Sequence, residues 1–95
     1  MIDLNLIAKQ GYDNALKRGR INEKMTHEEI CNGIMEEFKE FMTASGTKMS
    51  VHLPEYSEAA EELADIVLCG LTELVRLGID PEKIIMDKFI YNLTR

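Results

Sequence analysis

Apolar residues recur along this chain at the three- and four-residue intervals that place them on one face of an α-helix. The pattern is clearest in the third apolar segment, whose stripe consists of Leu63, Ile66, Val67, Gly70, Leu71 and Leu74. No segment shows the strict alternation of apolar and polar residues that is typical of a half-buried strand. The sequence therefore predicts an all-α fold.

Helix start and stop signals divide this pattern into four helices. Thr26, followed three residues later by Glu29, is a capping box, and Asp80 is an N-cap before Pro81 at the first helical position. Gly19 is a stop signal after the first helix. The predicted helices are residues 4–17, residues 26–43 or 26–44, a third helix that begins at Pro54 or at Ser57 and ends at about Leu77, and residues 81–95.

The length of 95 residues allows a single domain, which we assign to residues 1–95. Short connections favour antiparallel neighbours, so the expected architecture is a four-helix antiparallel bundle-like domain. A chain this short buries a modest core, yet 45% of its residues are hydrophobic. We therefore expect association into a homodimer or homotetramer, with Cys31, Met35 and Met42 as candidate contacts on the second helix.

The charge balance narrows the choice of partners and location. The 11 Lys and Arg residues face 17 Asp and Glu residues, a formal net charge of −6. This argues against binding to a nucleic acid polymer, because such binding needs a basic face. The longest apolar run, residues 66–71, is far too short to span a bilayer, and no signal peptide is visible. We expect a soluble, cytoplasmic protein with no membrane partner.

The two cysteines, Cys31 and Cys69, fall inside predicted helices and form no C-x-x-C pair. We interpret them as reduced thiols in or near the core, which agrees with an intracellular location. A disulfide between them is a minor alternative.

Two pairs of carboxylates lie at helical spacing beside the apolar stripes. Glu37 and Glu40 are one turn apart on the second predicted helix, and Glu62 and Asp65 are one turn apart on the third. Each pair sits at the edge of an apolar face, where an acid is costly unless something pairs with it. Antiparallel packing would bring the four acids together, and four carboxylates cannot crowd into one place without a cation.

The ligand chemistry favours Mg²⁺, with Mn²⁺ as the alternative, because both ions prefer oxygen ligands. A di-iron site would need Glu-x-x-His pairs, and neither His27 nor His52 has a glutamate three residues before it. Solvated acidic faces are common on helices, so a plain surface is the competing interpretation. We assign Glu36 and Glu61 to plain surface.

Three polar residues, Lys88, Asn92 and Arg95, recur along one side of the fourth predicted helix. Lysine and arginine bind phosphate oxygens, and asparagine can hydrogen-bond a base or a sugar. A solvated helix face is the simpler alternative. Lys48, in the polar loop between the second and third helices, is a further candidate for substrate binding because of its position and charge.

The order of these motifs resembles the all-α nucleoside triphosphate pyrophosphohydrolases of the MazG-like kind. The similarity covers roughly residues 28–95. Its most specific part is EELADIV at residues 61–67, followed by LGID at residues 77–80. The first acidic motif is shorter and less specific.

The resemblance implies hydrolysis of a nucleoside triphosphate between the α- and β-phosphates, giving a monophosphate and pyrophosphate. One carboxylate would take a proton from the attacking water, and basic side chains would stabilise charge on the leaving pyrophosphate. By this resemblance the Mg²⁺ ligands and catalytic acids are Glu37, Glu40, Glu62 and Asp65, and the nucleotide contacts are Lys88 and Asn92. Arg95 and Lys48 are weaker candidates for substrate binding, chosen from their position and charge and not from the resemblance.

Two alternatives stay open. The related phosphoribosyl-ATP pyrophosphatases share the order of acids, but they usually carry a histidine soon after the second acidic motif, where this chain has Val67-Leu68-Cys69. A noncatalytic helical binding or assembly module would leave the acids structural or solvated. The sequence does not decide the preferred base or sugar, or which carboxylate acts as the general base.

Overall fold

The computed structural model describes residues 2–95 and contains four α-helices. They are α1 (Leu4–Lys17), α2 (His27–Thr43), α3 (Glu58–Arg76) and α4 (Pro81–Leu93). These residues form no strand, although Met49 and Ser57 make an isolated antiparallel β-bridge between α2 and α3. The predicted all-α fold with four helices is confirmed.

Side chains cap the first turns of the helices as the sequence predicts. Thr26 Oγ1 accepts a hydrogen bond from the backbone N of Glu29, whose carboxylate accepts one from the backbone N of Thr26. The carboxylate of Asp80 accepts a hydrogen bond from the backbone N of Lys83 at the start of α4. These bonds satisfy amide groups that the first turn of a helix leaves without partners.

Two glycines end helices in the left-handed conformation. Gly19 follows α1 with φ of 74°, and Gly78 follows α3 with φ of 76°. At the second of these ends, the backbone N of Ile79 donates to the carbonyl oxygen of Leu74. Glycine adopts positive φ without steric cost, so both stops follow from the sequence.

The third helix begins at Glu58, which decides between the two predicted starts. Ser57 is the N-cap, because its Oγ accepts a hydrogen bond from a backbone N in the first turn. The placement of Pro54 in that turn is wrong. The backbone N of Tyr56 donates to the carbonyl oxygen of Leu53, so Pro54 lies inside a separate turn ahead of the helix.

The chain divides into two compact units. One consists of the chain up to Glu23 together with Leu71–Arg95, and the other is Lys24–Gly70. In the first unit α1 contacts α4, and the side-chain nitrogen of Asn5 donates to the carboxylate of Asp80, the N-cap of α4. The second unit holds α2, the loop after it and the first part of α3. The assignment of one domain over residues 1–95 stays a prediction.

Few apolar side chains are well covered. Ala8, Ile30 and Leu71 are buried, whereas Met35 and Met42 are 51% and 67% exposed. Several members of the predicted apolar stripes are also exposed, among them Phe38, Leu63 and Val67. Within residues 2–95, none of the helices combines the length and the apolar character needed to cross a membrane.

Neither Cys31 nor Cys69 is part of a disulfide in the described residues. Cys69 is half-buried, but Cys31 is exposed, with its Sγ 3.4 Å from Nε2 of His27 on the same helix. The placement of Cys31 in or near the core is therefore wrong, because this side of α2 faces solvent.

Candidate active site

Three carboxylates from two helices meet in the unit Lys24–Gly70. Glu37 and Glu40, on α2, and Glu62, on α3, each have an oxygen atom within 4.8 Å of those of the other two. Glu37 and Glu40 share a helix face because they are three residues apart. The structure thus brings together three of the four carboxylates that the sequence assigns to a metal.

Glu62 carries the electrostatic cost of this arrangement. Its Oε2 is buried and has no hydrogen-bond partner among the described residues 2–95. Burial raises the pKa of Glu62, and the negative charges of Glu40 and Asp65 raise it further. A hydrogen bond between the carboxyls of Glu62 and Glu40 contributes as well, since it requires a proton. A cation among these oxygens would offset the cost of the buried negative charge and the repulsion between the carboxylates. The donor set therefore fits Mg²⁺ or Mn²⁺.

Asp65, the fourth predicted ligand, is exposed on α3 and lies outside the group of three. Its charge nevertheless acts on Glu62, whose pKa it raises. Asp65 follows Glu62 by three residues, about one helical turn, so both side chains can reach one ion. Its role as a ligand stays a prediction.

A cavity of about 320 Å³ opens beside the carboxylates. Glu40 and Glu62 line it, and Glu58 and Glu61 add two further acids from α3. Among the lining residues in the described part of the chain, His52 is the side chain that can carry a positive charge. The cavity is therefore strongly acidic, with one imidazole in its wall.

Ser50 organises the loop between α2 and α3. The residue is only 4% exposed, and its Oγ donates a hydrogen bond to Oε1 of Glu61 at 2.8 Å. The same Oγ accepts hydrogen bonds from the backbone N of His52 and of Leu53, at 3.1 and 3.0 Å. The backbone N of Ser50 donates to the carbonyl oxygen of Tyr56 at 2.8 Å. Together these bonds hold the turn that carries His52.

Glu61 binds the imidazole as well as the serine. Nδ1 of His52 lies 3.1 Å from Oε1 of Glu61, and a carboxylate only accepts, so this nitrogen carries the proton. Hydrogen bonds from Ser50 and His52 lower the pKa of Glu61. The assignment of Glu61 to plain surface is wrong, since its side chain is 15% exposed beneath the loop. Glu36, 70% exposed, is plain surface as predicted.

Ser50 and His52 are residues that the sequence did not identify. They lie in an irregular loop, where no helical period relates them to the acids of α3. The available signal was weak: a serine and a histidine two residues apart in a loop that joins two acidic motifs.

Lys48 lies at the edge of the cavity. Its Nζ is 3.8 Å from Oε2 of Glu58, which lines the cavity. The lysine side chain is 70% exposed, and exposed ion pairs contribute little stability. Binding of substrate by Lys48 stays a prediction.

The other predicted substrate-binding residues belong to the unit that contains α4. Nζ of Lys88 lies 4.7 Å from the ring centroid of Tyr91, within the range of a cation–π interaction. Asn92 is exposed in the last turn of α4, and Arg95 lies beyond the end of that helix. Contact between these residues and a nucleotide stays a prediction.

The family model of phosphoribosyl-ATP pyrophosphohydrolases matches residues 13–87. This span includes the three converging carboxylates, Asp65 and the whole loop between α2 and α3. No curated protein and no solved structure matches the chain. The chain therefore belongs to the phosphoribosyl-ATP pyrophosphohydrolase family, which indicates pyrophosphohydrolase activity on a nucleotide-like substrate.

Proposed function

We propose that this protein is a Mg²⁺-dependent pyrophosphohydrolase that cleaves a nucleoside triphosphate between the α- and β-phosphates. The observation that carries the proposal is the convergence of Glu37, Glu40 and Glu62 around a buried carboxylate oxygen that finds no hydrogen-bond partner within residues 2–95. Family membership supports the type of bond cleaved. The MazG-like order of the acidic motifs supports a nucleoside triphosphate as substrate.

The carboxylates would serve two purposes in such a reaction. Mg²⁺ held by Glu37, Glu40, Glu62 and Asp65 would neutralise phosphate charge and lower the pKa of a bound water, and Mn²⁺ could replace it. A carboxylate of this group accepts the proton of the attacking water as a new P–O bond forms. The bond between the attacked phosphorus and the oxygen that bridges the α- and β-phosphates breaks. Its electron pair stays on that oxygen, which leaves with the departing phosphate group. Basic side chains would then stabilise that charge.

Phosphoribosyl-ATP is the second candidate substrate, and the family match favours it. Its triphosphate chain contains the same α–β bond, so the same carboxylates would act on it. The segment Val67–Cys69 stands where these enzymes usually carry a histidine, which favours a simple nucleoside triphosphate instead.

We predict that the wild-type protein with Mg²⁺ converts at least one nucleoside triphosphate to monophosphate and pyrophosphate. The screen should include the common ribo- and deoxyribonucleoside triphosphates and phosphoribosyl-ATP, with products separated by ion-exchange chromatography. Glu62→Gln is the inactive control, which excludes a contaminating phosphatase. Release of a nucleoside diphosphate and inorganic phosphate would refute cleavage between the α- and β-phosphates. Turnover of phosphoribosyl-ATP alone would assign the second candidate substrate.

Metal binding should depend on the carboxylate group. Replacing Glu62 by Gln or Asp65 by Asn should weaken Mg²⁺ binding by at least about tenfold, since loss of a residue that only supports a ligand already costs roughly ten- to hundredfold. Isothermal calorimetry measures this affinity. Glu36→Gln, a change of the same chemistry at an exposed position of α2, should leave it unaltered. Unchanged affinity in both ligand variants would refute the metal site.

Glu62→Gln should also stabilise the metal-free protein. The folded-state pKa of Glu62 is raised, so its ionisation costs the folded state stability as the pH rises through that pKa. In Glu62→Gln the midpoint of thermal unfolding, measured without metal at neutral pH, should therefore be higher than in the wild-type protein. Added Mg²⁺ should not raise the midpoint of the variant further.

The exposed apolar side of α2 supports a homodimer or homotetramer. Met35 and Met42 are more than half exposed in the single chain, and a second copy would cover them. We predict that sedimentation velocity at micromolar concentration shows at least a dimer, and that Met42→Glu shifts it toward monomer. Gln10→Glu, which adds the same charge at an exposed polar position of α1, should not. A fully active wild-type monomer would contradict the proposal.

Lys88 and Asn92 lie one turn apart on α4, so one ligand can touch both. If Lys88 meets a phosphate, Lys88→Ala loses a contact worth on the order of 1.5–3 kcal/mol, or roughly ten- to hundredfold in kcat/KM. Asn92→Ala should act unevenly across bases if Asn92 reads the base, and evenly if it holds the sugar or phosphate. Mg²⁺ affinity should not change in either variant.

The matched control for Lys88 is Lys83→Ala, which removes an exposed lysine of the same helix that pairs with Asp87. Steady-state kinetics on several triphosphates give the comparison. Wild-type kcat/KM in both Lys88→Ala and Asn92→Ala would show that this side of α4 is a solvated face.

A further inference from the structure

The imidazole of His52 is held on one side and open on the other. Nδ1 contacts Oε1 of Glu61 at 3.1 Å, while the side chain as a whole is 85% exposed. Nε2, at the opposite edge of the ring, makes no hydrogen bond within the described residues 2–95. The ring therefore presents one fixed nitrogen to the protein and one free nitrogen to a ligand.

The support beneath this ring is unusually complete for an exposed side chain. Glu61 is only 15% exposed and accepts a hydrogen bond from the buried hydroxyl of Ser50. The same hydroxyl oxygen accepts a hydrogen bond from the backbone N of His52 itself. An ordinary surface ion pair has no such buried anchor, and its side chains are free to part. Here the backbone of His52 and the carboxylate of Glu61, which orients its ring, both hydrogen-bond to Oγ of Ser50.

The acidic cavity needs a positive donor if it is to hold a polyphosphate. Glu40, Glu58, Glu61 and Glu62 line it, and an Mg²⁺ ion held by Glu40 and Glu62 would offset only part of that charge. His52 lines the same cavity. A protonated imidazole has an N–H on each nitrogen, so it can donate to Glu61 from Nδ1 and to a phosphate oxygen from Nε2.

We propose that His52 binds the pyrophosphate part of the substrate through Nε2, and that Glu61 and Ser50 are positioning residues that hold the ring in the cavity wall. This inference rests on the proposed function, since it names a substrate contact of the same site. It assigns the loop between α2 and α3 a binding role that neither acidic motif contains.

Equilibrium binding tests this assignment without relying on turnover. Calorimetry in the presence of Mg²⁺ measures the affinity of the protein for inorganic pyrophosphate and, separately, for a nucleoside monophosphate. His52→Ala should weaken pyrophosphate binding on the order of ten- to hundredfold, because a charge-assisted hydrogen bond is lost. Monophosphate binding and Mg²⁺ affinity should stay within about twofold of wild type, within the scatter expected for such changes.

Matched variants separate a lost donor from a disturbed fold. His52→Gln places an amide N–H near the former Nε2 and should recover part of the pyrophosphate affinity. His52→Asn, whose amide reaches only as far as Nδ1, should not. His27→Ala, which removes the chain's other histidine from an exposed position at the start of α2, should bind like wild type.

The positioning residues have a spectroscopic readout. In the wild-type protein, ¹⁵N NMR of the imidazole should show a proton on Nδ1 of His52, because Glu61 accepts from it. Glu61→Ala should abolish this preference and weaken pyrophosphate binding, whereas Glu61→Gln, which retains an acceptor oxygen, should restore both in part. Persistence of the Nδ1 proton with undiminished pyrophosphate binding in Glu61→Ala would overturn the positioning role.

Pyrophosphate affinity unchanged in His52→Ala would overturn the phosphate contact, as would a loss confined to the monophosphate. No binding of pyrophosphate by the wild-type protein would overturn it as well. A different result tests the proposed function: a protein that binds pyrophosphate through His52 but hydrolyses no nucleotide would refute the proposed function and leave the contact in place.

Discussion

Repulsion between carboxylates on two helices is the constraint around which the unit Lys24–Gly70 is arranged. Glu37 and Glu40 on α2 face Glu62 on α3, and the buried oxygen of Glu62 has no donor within the described chain to offset the cost. Without a cation, burial of Glu62 and then the repulsion from its neighbours favour the protonated carboxyl, so the pKa of Glu62 is raised. A divalent ion would take the place of that proton and link the two helices. Metal binding and the stability of this unit are therefore expected to be coupled.

The helices could be predicted because their signals are local. Thr26 and Glu29 close a capping box within four residues, and Gly78 ends α3 through its own backbone conformation. The start of α3 was ambiguous because Pro54 and Ser57 are both acceptable near a helix start. What decides between them is the turn closed by Leu53 and Tyr56 and the β-bridge made by Ser57, and these depend on how the loop folds back on itself.

The same distinction explains which part of the site could be predicted. Glu37, Glu40 and Glu62 were found because helical periodicity puts them beside apolar stripes, and a costly acid at such a place calls for a partner. Ser50 and His52 were missed because their hydrogen bonds join an irregular loop to a helix 9 to 11 residues away. Periodicity contains no information about that kind of contact. The exposure of the apolar stripes was likewise hidden, since a pattern shows that a face is apolar but not what covers it.

Two consecutive glutamates on α3 show how neighbouring acids acquire different roles. Glu61 and Glu62 point in directions about 100° apart on the helix. Glu61 meets donors from Ser50 and His52, so its pKa is lowered and its charge is already satisfied. Glu62 meets burial and other carboxylates, so its pKa is raised and its charge still needs a partner. A cation at this place would bind Glu62, the glutamate that lacks hydrogen-bond donors. Asp65, and not Glu61, whose oxygens already accept hydrogen bonds from Ser50 and His52, is therefore the neighbour expected to complete the coordination.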